Sequence, residues 1–259
     1  MEKVNIDFVI ISNAKDKILS NITKKCIESI LSSEERSYYN FNIVIIESNK
    51  DHEPYKYPNT LTLFPKEKFG YHRYLNIGLK QTSSEYVCLC NNDLIFHKNW
   101  LSEILKVATL RKDIMSFSSL DPWLHQQYKD LDLSKPYIEG YDKMKVFTGW
   151  FFVIRRNIID IVGLFDENLE FWFCDDDFIN VLKKYSIKHA LVTKSVVKHL
   201  GSKTLNGIKD NQELYSELTS KQYLYYDYKW NHQSKFKFVL KVIRYYFHHF
   251  KLKLSSKLN

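Results

Sequence analysis

Glycine is scarce, at 7 of 259 residues, and the signatures that depend on it are missing. There is no Walker loop, and no Gly-x-Gly-x-x-Gly follows the first apolar run, so ATPase and dinucleotide-oxidoreductase readings lose their main support. No Gly-x-Ser-x-Gly elbow presents a serine nucleophile. Four cysteines, Cys26, Cys88, Cys90 and Cys174, show neither zinc nor thioredoxin spacing, which leaves buried free thiols in a reducing compartment as the expectation. No apolar run reaches 18 residues, so no membrane-spanning helix is expected. Met1 to Asp7 are too polar for a signal peptide, and a cytosolic chain follows as an expectation. Internal repeats and low-complexity segments are absent as well.

What is present is an ample core and an uneven charge. Apolar residues make up 44% of the chain, enough for one large α/β domain or one domain with a small appendage. Tyr and Phe, at 18 and 17, point to an aromatic-lined cleft or surface. The net charge is +8, and Lys221 to Asn259 alone hold nine Lys or Arg against one Asp, leaving the rest balanced. A nucleic-acid enzyme carries its basic residues around the active cleft. Here the excess sits in the C-terminal element, so no nucleic-acid partner is expected.

Along the chain, short apolar runs stop at polar groups and alternate with helical periodicity. Phe8 to Ile11 ends at Ser12-Asn13, Phe41 to Ile46 at Glu47-Ser48-Asn49, and Tyr86 to Cys90 at Asn91-Asn92-Asp93. Leu61 to Phe64 reads as a shorter strand. Asn21 to Leu31, His72 to Lys80 and Trp100 to Leu110 read as helices. Leu120 to Lys145 reads as loop and short strands over a cleft. Phe147 to Ile154 is a strand candidate, Asn157 to Val162 and Asp177 to Tyr185 are helices, and Ala190 to Val197 is a last strand ending at Lys198-His199. This rhythm predicts a mostly parallel sheet covered on both faces. Ligands of such sheets bind beyond the carboxyl ends of the strands, where Ser12, Asn13, Glu47, Asn49 and Asp93 fall.

Two acidic clusters carry the chemistry. Asp93 closes a strand and could hold a divalent ion on a diphosphate, with Asn91 and Asn92 bonding ribose or water. Alternatively the Asn-Asn-Asp trio is only a turn. Asp175, Asp176 and Asp177 follow the aromatic run Phe171-Trp172-Phe173. One of them could act as general base for a sugar hydroxyl, or they could simply cap a helix. His199 ends the last strand, placed either for metal ligation or for structure.

In order along the chain, these segments resemble the inverting GT-A glycosyltransferases of family 2, which include bacterial O-antigen, capsule and rhamnosyl-type transferases. Phe8 to Asn13 resembles the family's first strand. Ile43 to Asp51 resembles its second, with Glu47 at the base or ribose. Gly70, Arg73 and Asn76-Ile77-Gly78 resemble its glycine, Arg-Asn and Gly pattern. Tyr86 to Asp93 resembles the Asp-x-Asp strand end, and Phe147-Thr148-Gly149-Trp150 the acceptor-side glycine segment. Phe165-Asp166-Glu167 with Phe171 to Phe178 resembles the Phe-Asp-Glu and Glu-Asp-x-Asp block, although Cys174 stands at the glutamate position. Val197 to Ser202 resembles the segment with the metal or diphosphate histidine.

The resemblance implies a GT-A catalytic domain over residues 1–204 and a helical extension over 205–259. It implies Mn2+ or Mg2+ held by Asp93 and His199, and a UDP- or dTDP-sugar bound by Ser12, Asn13, Glu47, Asn49, Arg73, Asn91 and Asn92. Asp175 is then the catalytic base, with Asp176 in reserve, and the acceptor a cell-surface polysaccharide or lipid-linked glycan. Two other readings stand beside it: a sugar nucleotidyltransferase, and a non-catalytic glycan-binding protein on the same fold.

In the tail, Phe236, Val239, Leu240, Ile243, Phe247 and Phe250 recur at helical spacing, with Lys237, Lys241, Arg244, His248 and Lys251 on another side. Such a helix over 236–253 fits the surface of an anionic membrane, which would make the chain peripheral to the inner face of the cell membrane. The stripe could equally seat a second copy in a homodimer or pack on the catalytic domain.

Overall fold

The computed structural model describes residues 3–201, 217–231 and 234–255, with side chains left out at 217–218 and 248–255. Among the described residues nine strands form one sheet: β1 (Val4–Ser12), β2 (Tyr39–Glu47), β3 (Thr60–Leu63), β4 (Tyr86–Asn91), β5 (Leu94–Phe96), β6 (Ile114–Leu120), β7 (Tyr137–Glu139), β8 (Phe151–Arg155) and β9 (Lys188–His199). Their order is β3-β2-β1-β4-β8-β6-β9-β5, and β7 pairs with β9. The helices are α1 (Lys17–Ser33), α2 (Tyr71–Leu79), α3 (Trp100–Leu110), α4 (Pro122–His125), α5 (Ile158–Val162) and α6 (Cys174–Lys184). A π-helical turn at Glu217–Lys221 leads into α7 (Gln222–Trp230), and α8 (Lys235–Ser255) follows.

The first half is the expected parallel sheet, with β1 between β2 and β4 and β3 outside β2. Strand β8 then runs antiparallel between β4 and β6, so the sheet is mixed. Both faces of the central strands are buried, which is why their sequences read as unbroken apolar runs. On one face Ile6, Phe8 and Ile10 meet Ile27 and Ile30 of α1 and Trp100 and Ile104 of α3. On the other, Val9 and Ile11 meet Tyr74 and Leu75 of α2 and Phe178 and Leu182 of α6. Gly78 of α2 packs so closely on Val9 that a Cβ there would fall inside the valine side chain.

Register aligns the strand ends that position the site. Ser12 pairs with Glu47 across β1 and β2, and Ile11 pairs with Asn91 across β1 and β4. Strand β6 was not expected. Its Ser116, Ser118 and Ser119 are buried, which weakens the apolar signal. The Ser116 hydroxyl pairs with His189 Nδ1 at 2.8 Å, Ser119 pairs with Ser195 at 2.6 Å, and Ser118 Oγ accepts from the Thr148 amide at 3.3 Å. Segment 147–150, expected as strand, is a turn leading into β8. All four cysteines are free and buried.

Candidate active site

The short strand β5 pairs antiparallel with the far end of β9, and this brings Leu94 opposite His199. Asp93, in the link between β4 and β5, therefore faces His199: Nε2 lies 3.2 Å from Asp93 Oδ2. The Leu200 amide donates to the Asp93 carbonyl at 2.9 Å, and the His199 amide donates to Asp121 Oδ2 at 2.7 Å. Asp121 also accepts from Trp123 and Leu124, which caps α4. Its place before Pro122 at a strand end was the sequence signal for that cap. Asp93 is 8% exposed, and both its Oδ1 and His199 Nε2 are buried without a hydrogen-bond partner. Buried polar atoms are rarely left so. A carboxylate oxygen and an imidazole nitrogen facing each other fit a divalent cation, whose remaining ligands a diphosphate and water would supply. Among the described residues no group of three or more His, Cys, Asp or Glu converges on one point.

The second acidic cluster starts α6, three residues earlier than its expected beginning. Phe173 caps the helix at φ +64°, a left-handed conformation that costs a non-glycine residue about 1–3 kcal/mol. Asp175, Asp176 and Asp177 then fill the first turn but face different partners. Lys143 Nζ sits 3.0 Å from Asp175 Oδ2 and 2.6 Å from Asp176 Oδ2. Burial raises the Asp175 carboxyl above its ordinary range, and the Lys143 ammonium opposes that rise. Asp177 is buried and accepts from Trp230 Nε1 and Lys229 Nζ, each at 2.7 Å, so it anchors α7. Burial also pushes the Cys174 thiol well above its usual value, keeping it a neutral core group that donates to the Leu169 carbonyl.

Gly149 and Trp150 join the two clusters. A Cβ on Gly149 would stand 2.8 Å from Asp175 Cβ, so only glycine lets the turn lie against the carboxylate. The Trp150 ring stacks on His199, with centroids 4.6 Å apart and planes 9° from parallel. The Trp150 carbonyl accepts from the Asn91 amide at 2.9 Å, and Tyr71 OH donates to the Gly149 carbonyl at 2.9 Å. Asp175, Gly149, Trp150, His199 and Asp93 thus form one run of contacts.

The remaining expected residues divide. Asn92 Nδ2 donates to Thr23 Oγ1 at 2.7 Å and to Ser12 Oγ at 3.4 Å, so Ser12 and Asn92 share a polar cluster between β1, β4 and α1. Asn13 and Asn91 are half-buried at the strand ends. Glu47 is fully buried; its Oε1 accepts from the Ala14 and Asn49 amides at 3.0 and 2.8 Å. Asn49 donates to the Ala14 carbonyl at 2.8 Å. Glu47 and Asn49 therefore tie two strand-end loops together. Arg73 points to Glu167, 3.2 Å away, and to the Lys68 carbonyl at 2.8 Å, rather than to the Asp93 or Asp175 cluster. Asn76 clips the same segment, bonding Phe165 and Glu167. Lys143, Asp121 and Tyr71 were missed; for Lys143 and Tyr71 no local pattern marks the role.

A family model described as Glycosyl transferase family 2 matches residues 9–163, more than half the chain. The chain belongs to glycosyl transferase family 2. The match covers Asp93, Lys143, Gly149 and Trp150 and stops before Asp175 and His199, which join them through the tertiary structure. No curated protein matches the sequence. Solved structures share the fold at low identity. GalNAc-T7, solved with UDP, GalNAc and Mn2+, superposes at a TM-score of 0.59 with 13% identity, over 76% of this family 2 chain and 43% of that protein. PcManGT, a mannosyltransferase from Pyrobaculum calidifontis solved with GDP-Man and Mn2+, gives 0.59 and 12% over 90% of this chain and 66% of its own. S. aureus TarS 1–349 gives 0.56 and 11% over 75% and 59%. The chain therefore spans from under half to about two thirds of these relatives' lengths. At these identities the likeness establishes the GT-A architecture.

Proposed function

We propose that this chain transfers a sugar from a nucleoside-diphosphate sugar to a hydroxyl of a cell-surface or lipid-linked glycan, with inversion. The observation that carries the reading is the contact run that sets Asp175 and the Asp93–His199 pair on either end of Gly149-Trp150. A uridine or deoxythymidine diphosphate sugar would lie across the ends of β1, β2 and β4. Ser12, Asn13, Asn91 and Asn92 line that edge, and Glu47 with Asn49 holds its loops in shape. Asp93 and His199 would hold Mn2+ or Mg2+. Bound there, the ion supplies positive charge where the departing diphosphate becomes negative.

Asp175 takes the proton of the acceptor hydroxyl. The acceptor oxygen bonds the anomeric carbon, the bond from that carbon to the diphosphate oxygen breaks, and its electron pair leaves with the nucleoside diphosphate. Attack opposite the leaving group inverts the centre. Asp175 is preferred over Asp176 because it abuts Gly149 directly. The Lys143 ammonium opposes the rise that burial imposes on the Asp175 carboxyl.

The C-terminal region, outside the family match, serves acceptor access. The boundary expected at 204/205, together with Ser202, lies outside the described residues, as do the side chains of His248, Phe250 and Lys251. Among the described residues no helix is long and apolar enough to cross a membrane. Phe236 and Ile243 of α8 are 72% and 58% exposed beside Lys237 and Arg244, which supports contact with an anionic membrane surface.

The test separates donor from base. In calorimetry, UDP with Mn2+ should bind the unaltered protein and Asp175→Asn alike, and bind Asp93→Asn at least about tenfold more weakly. With a competent donor and acceptor, Asp175→Asn should lose about 10²–10⁴-fold in turnover. Near-normal turnover by that variant would falsify Asp175 as the base.

A further inference from the structure

The proposed base sits in the first turn of α6, and that turn begins on a strained residue. Phe173 caps the helix at φ +64° and ψ +6°, a left-handed conformation that a side chain with a Cβ disfavours. Its carbonyl accepts from the Asp177 amide at 2.8 Å, which closes the first turn, and Asp175 lies between the two. The direction of the Asp175 carboxylate therefore depends on Phe173 keeping this backbone. Nothing local supplies the reason, since the cap makes no side-chain hydrogen bond.

The reason comes from α7, which lies outside the family match. Tyr223 and Tyr226 are three apart on that helix and so share a side. Both meet the Phe173 ring. Tyr226 stacks on it with centroids 5.2 Å apart and planes at 25°, and Tyr223 meets it at 5.7 Å and 51°. Two such aromatic contacts together are of the same order as the cost of the cap. The Tyr226 hydroxyl also accepts from Asn180 Nδ2 of α6 at 2.8 Å, so one side chain grips the helix at its cap and further along. Burial raises the Tyr226 hydroxyl above its ordinary value, the Asn180 bond opposes that rise, and the Asp176 carboxylate adds to it, which sets the ring beside the acidic cluster. The ends of α7 are fixed to the same segment. Gln222 Oε1 accepts from the Glu170 amide at 2.7 Å, and Lys229 and Trp230 hold Asp177.

We propose that Tyr226 is a positioning residue for transfer: with Tyr223 it holds Phe173 in the left-handed cap, and the cap holds Asp175 against Gly149. The inference rests on the transferase reading above, and it gives α7 a part in setting the base as well as in acceptor access. Without the clamp, Phe173 relaxes toward the right-handed or extended region, the first turn of α6 unwinds and Asp175 leaves Gly149. A displacement of about 1 Å in a reacting group can cost about 10²-fold in rate. Tyr226 acts through Phe173 and touches no substrate itself.

Turnover and donor binding, measured on the full chain, test it together. Release of nucleoside diphosphate is followed from UDP-glucose, UDP-N-acetylglucosamine and dTDP-rhamnose with water as acceptor, and UDP affinity with Mn2+ by calorimetry. Tyr226→Leu should lower kcat by about tenfold or more with KM and UDP affinity unchanged, while Tyr226→Phe keeps the ring and most of the turnover. Phe173→Asn and Phe173→Val both remove the Phe173 ring, but asparagine enters the left-handed region readily and valine does not. The asparagine variant should therefore turn over at least about fivefold faster than the valine variant. In the Phe173→Asn background, Tyr226→Leu should cost less than about threefold, because no strained cap is left for it to hold. Unchanged kcat in Tyr226→Leu, an equal loss in both backgrounds, a parallel fall in UDP affinity, or equal rates for the asparagine and valine variants would each overturn the proposal. The two Phe173 variants decide the matter even where Tyr226→Leu does not fold. Absence of release from every donor by the unaltered protein would instead strike the transferase reading and take this inference with it, so the two failures are distinguishable.

Discussion

Among single residues, Lys143 exerts the most control over the proposed base. Asp175 and Asp176 are adjacent like charges, and burial disfavours ionisation of Asp175. The Lys143 ammonium, within 3.0 Å of both carboxylates, favours it. A carboxyl whose pKa lies above its ordinary value loses its charged, basic form as pH falls through that raised value. Replacing Lys143 with Met removes the opposing charge and raises the Asp175 pKa further. The acidic limb of the kcat/KM profile should therefore move to higher pH, with a loss of activity that is larger at acid than at alkaline pH. Lys143→Arg should restore most of the profile. An unchanged limb in Lys143→Met would show that the pair is only a surface contact. The candidate base was legible in the sequence because three aspartates after an aromatic run are conspicuous. The lysine was not, because it lies 32 residues upstream in an irregular segment and meets Asp175 only after folding.

Helix α6 separates structure from chemistry at the next scale. Its first turn holds three aspartates, and successive helical residues point about 100° apart, so they reach different surroundings. Asp175 lies against Gly149 and Lys143, while Asp177 is sealed by α7 through Trp230 and Lys229. Breaking a buried pair of this kind costs about 3–5 kcal/mol when one partner is left charged. Lys229 keeps Asp166 at 2.8 Å, so Asp177→Asn should lie at or below the lower end of that range. Thermal denaturation should show the loss, while UDP affinity at low temperature stays near normal. A large loss of turnover without loss of stability would make Asp177 part of the chemistry instead. The helix starts earlier than its periodicity suggests because Phe173 adopts a left-handed cap, a choice that local propensity disfavours and tertiary packing enforces. Strand β6 shows the same limit in reverse. Its serines look like loop, but each finds a hydrogen-bond partner across the sheet or in the 147–150 turn.

At the scale of the whole molecule, the tail forms a helix that packs on α7. Helix α8 docks through Phe238 and Lys241 on α7, and the stripe containing Phe236, Leu240 and Ile243 faces outward. Anionic vesicles should bind the protein at low salt, and about 0.5 M NaCl should weaken that binding by roughly tenfold or more, because each basic residue near the surface contributes about 1 kcal/mol. Ile243→Glu should abolish it. Sedimentation showing a dimer, with no vesicle binding, would assign the stripe to a second copy instead. The sequence by itself determined the α/β class, the strand ends and the amphipathic tail, because alternation between apolar runs and polar stops is a local property of the chain. The tertiary structure alone decided that β8 inserts antiparallel and that β5 folds back to set Asp93 against His199. It also turned Glu47 inward and brought Gly149-Trp150 between the two acidic clusters. Those outcomes depend on pairings between segments up to about a hundred residues apart, whose contact energies no short window of sequence contains.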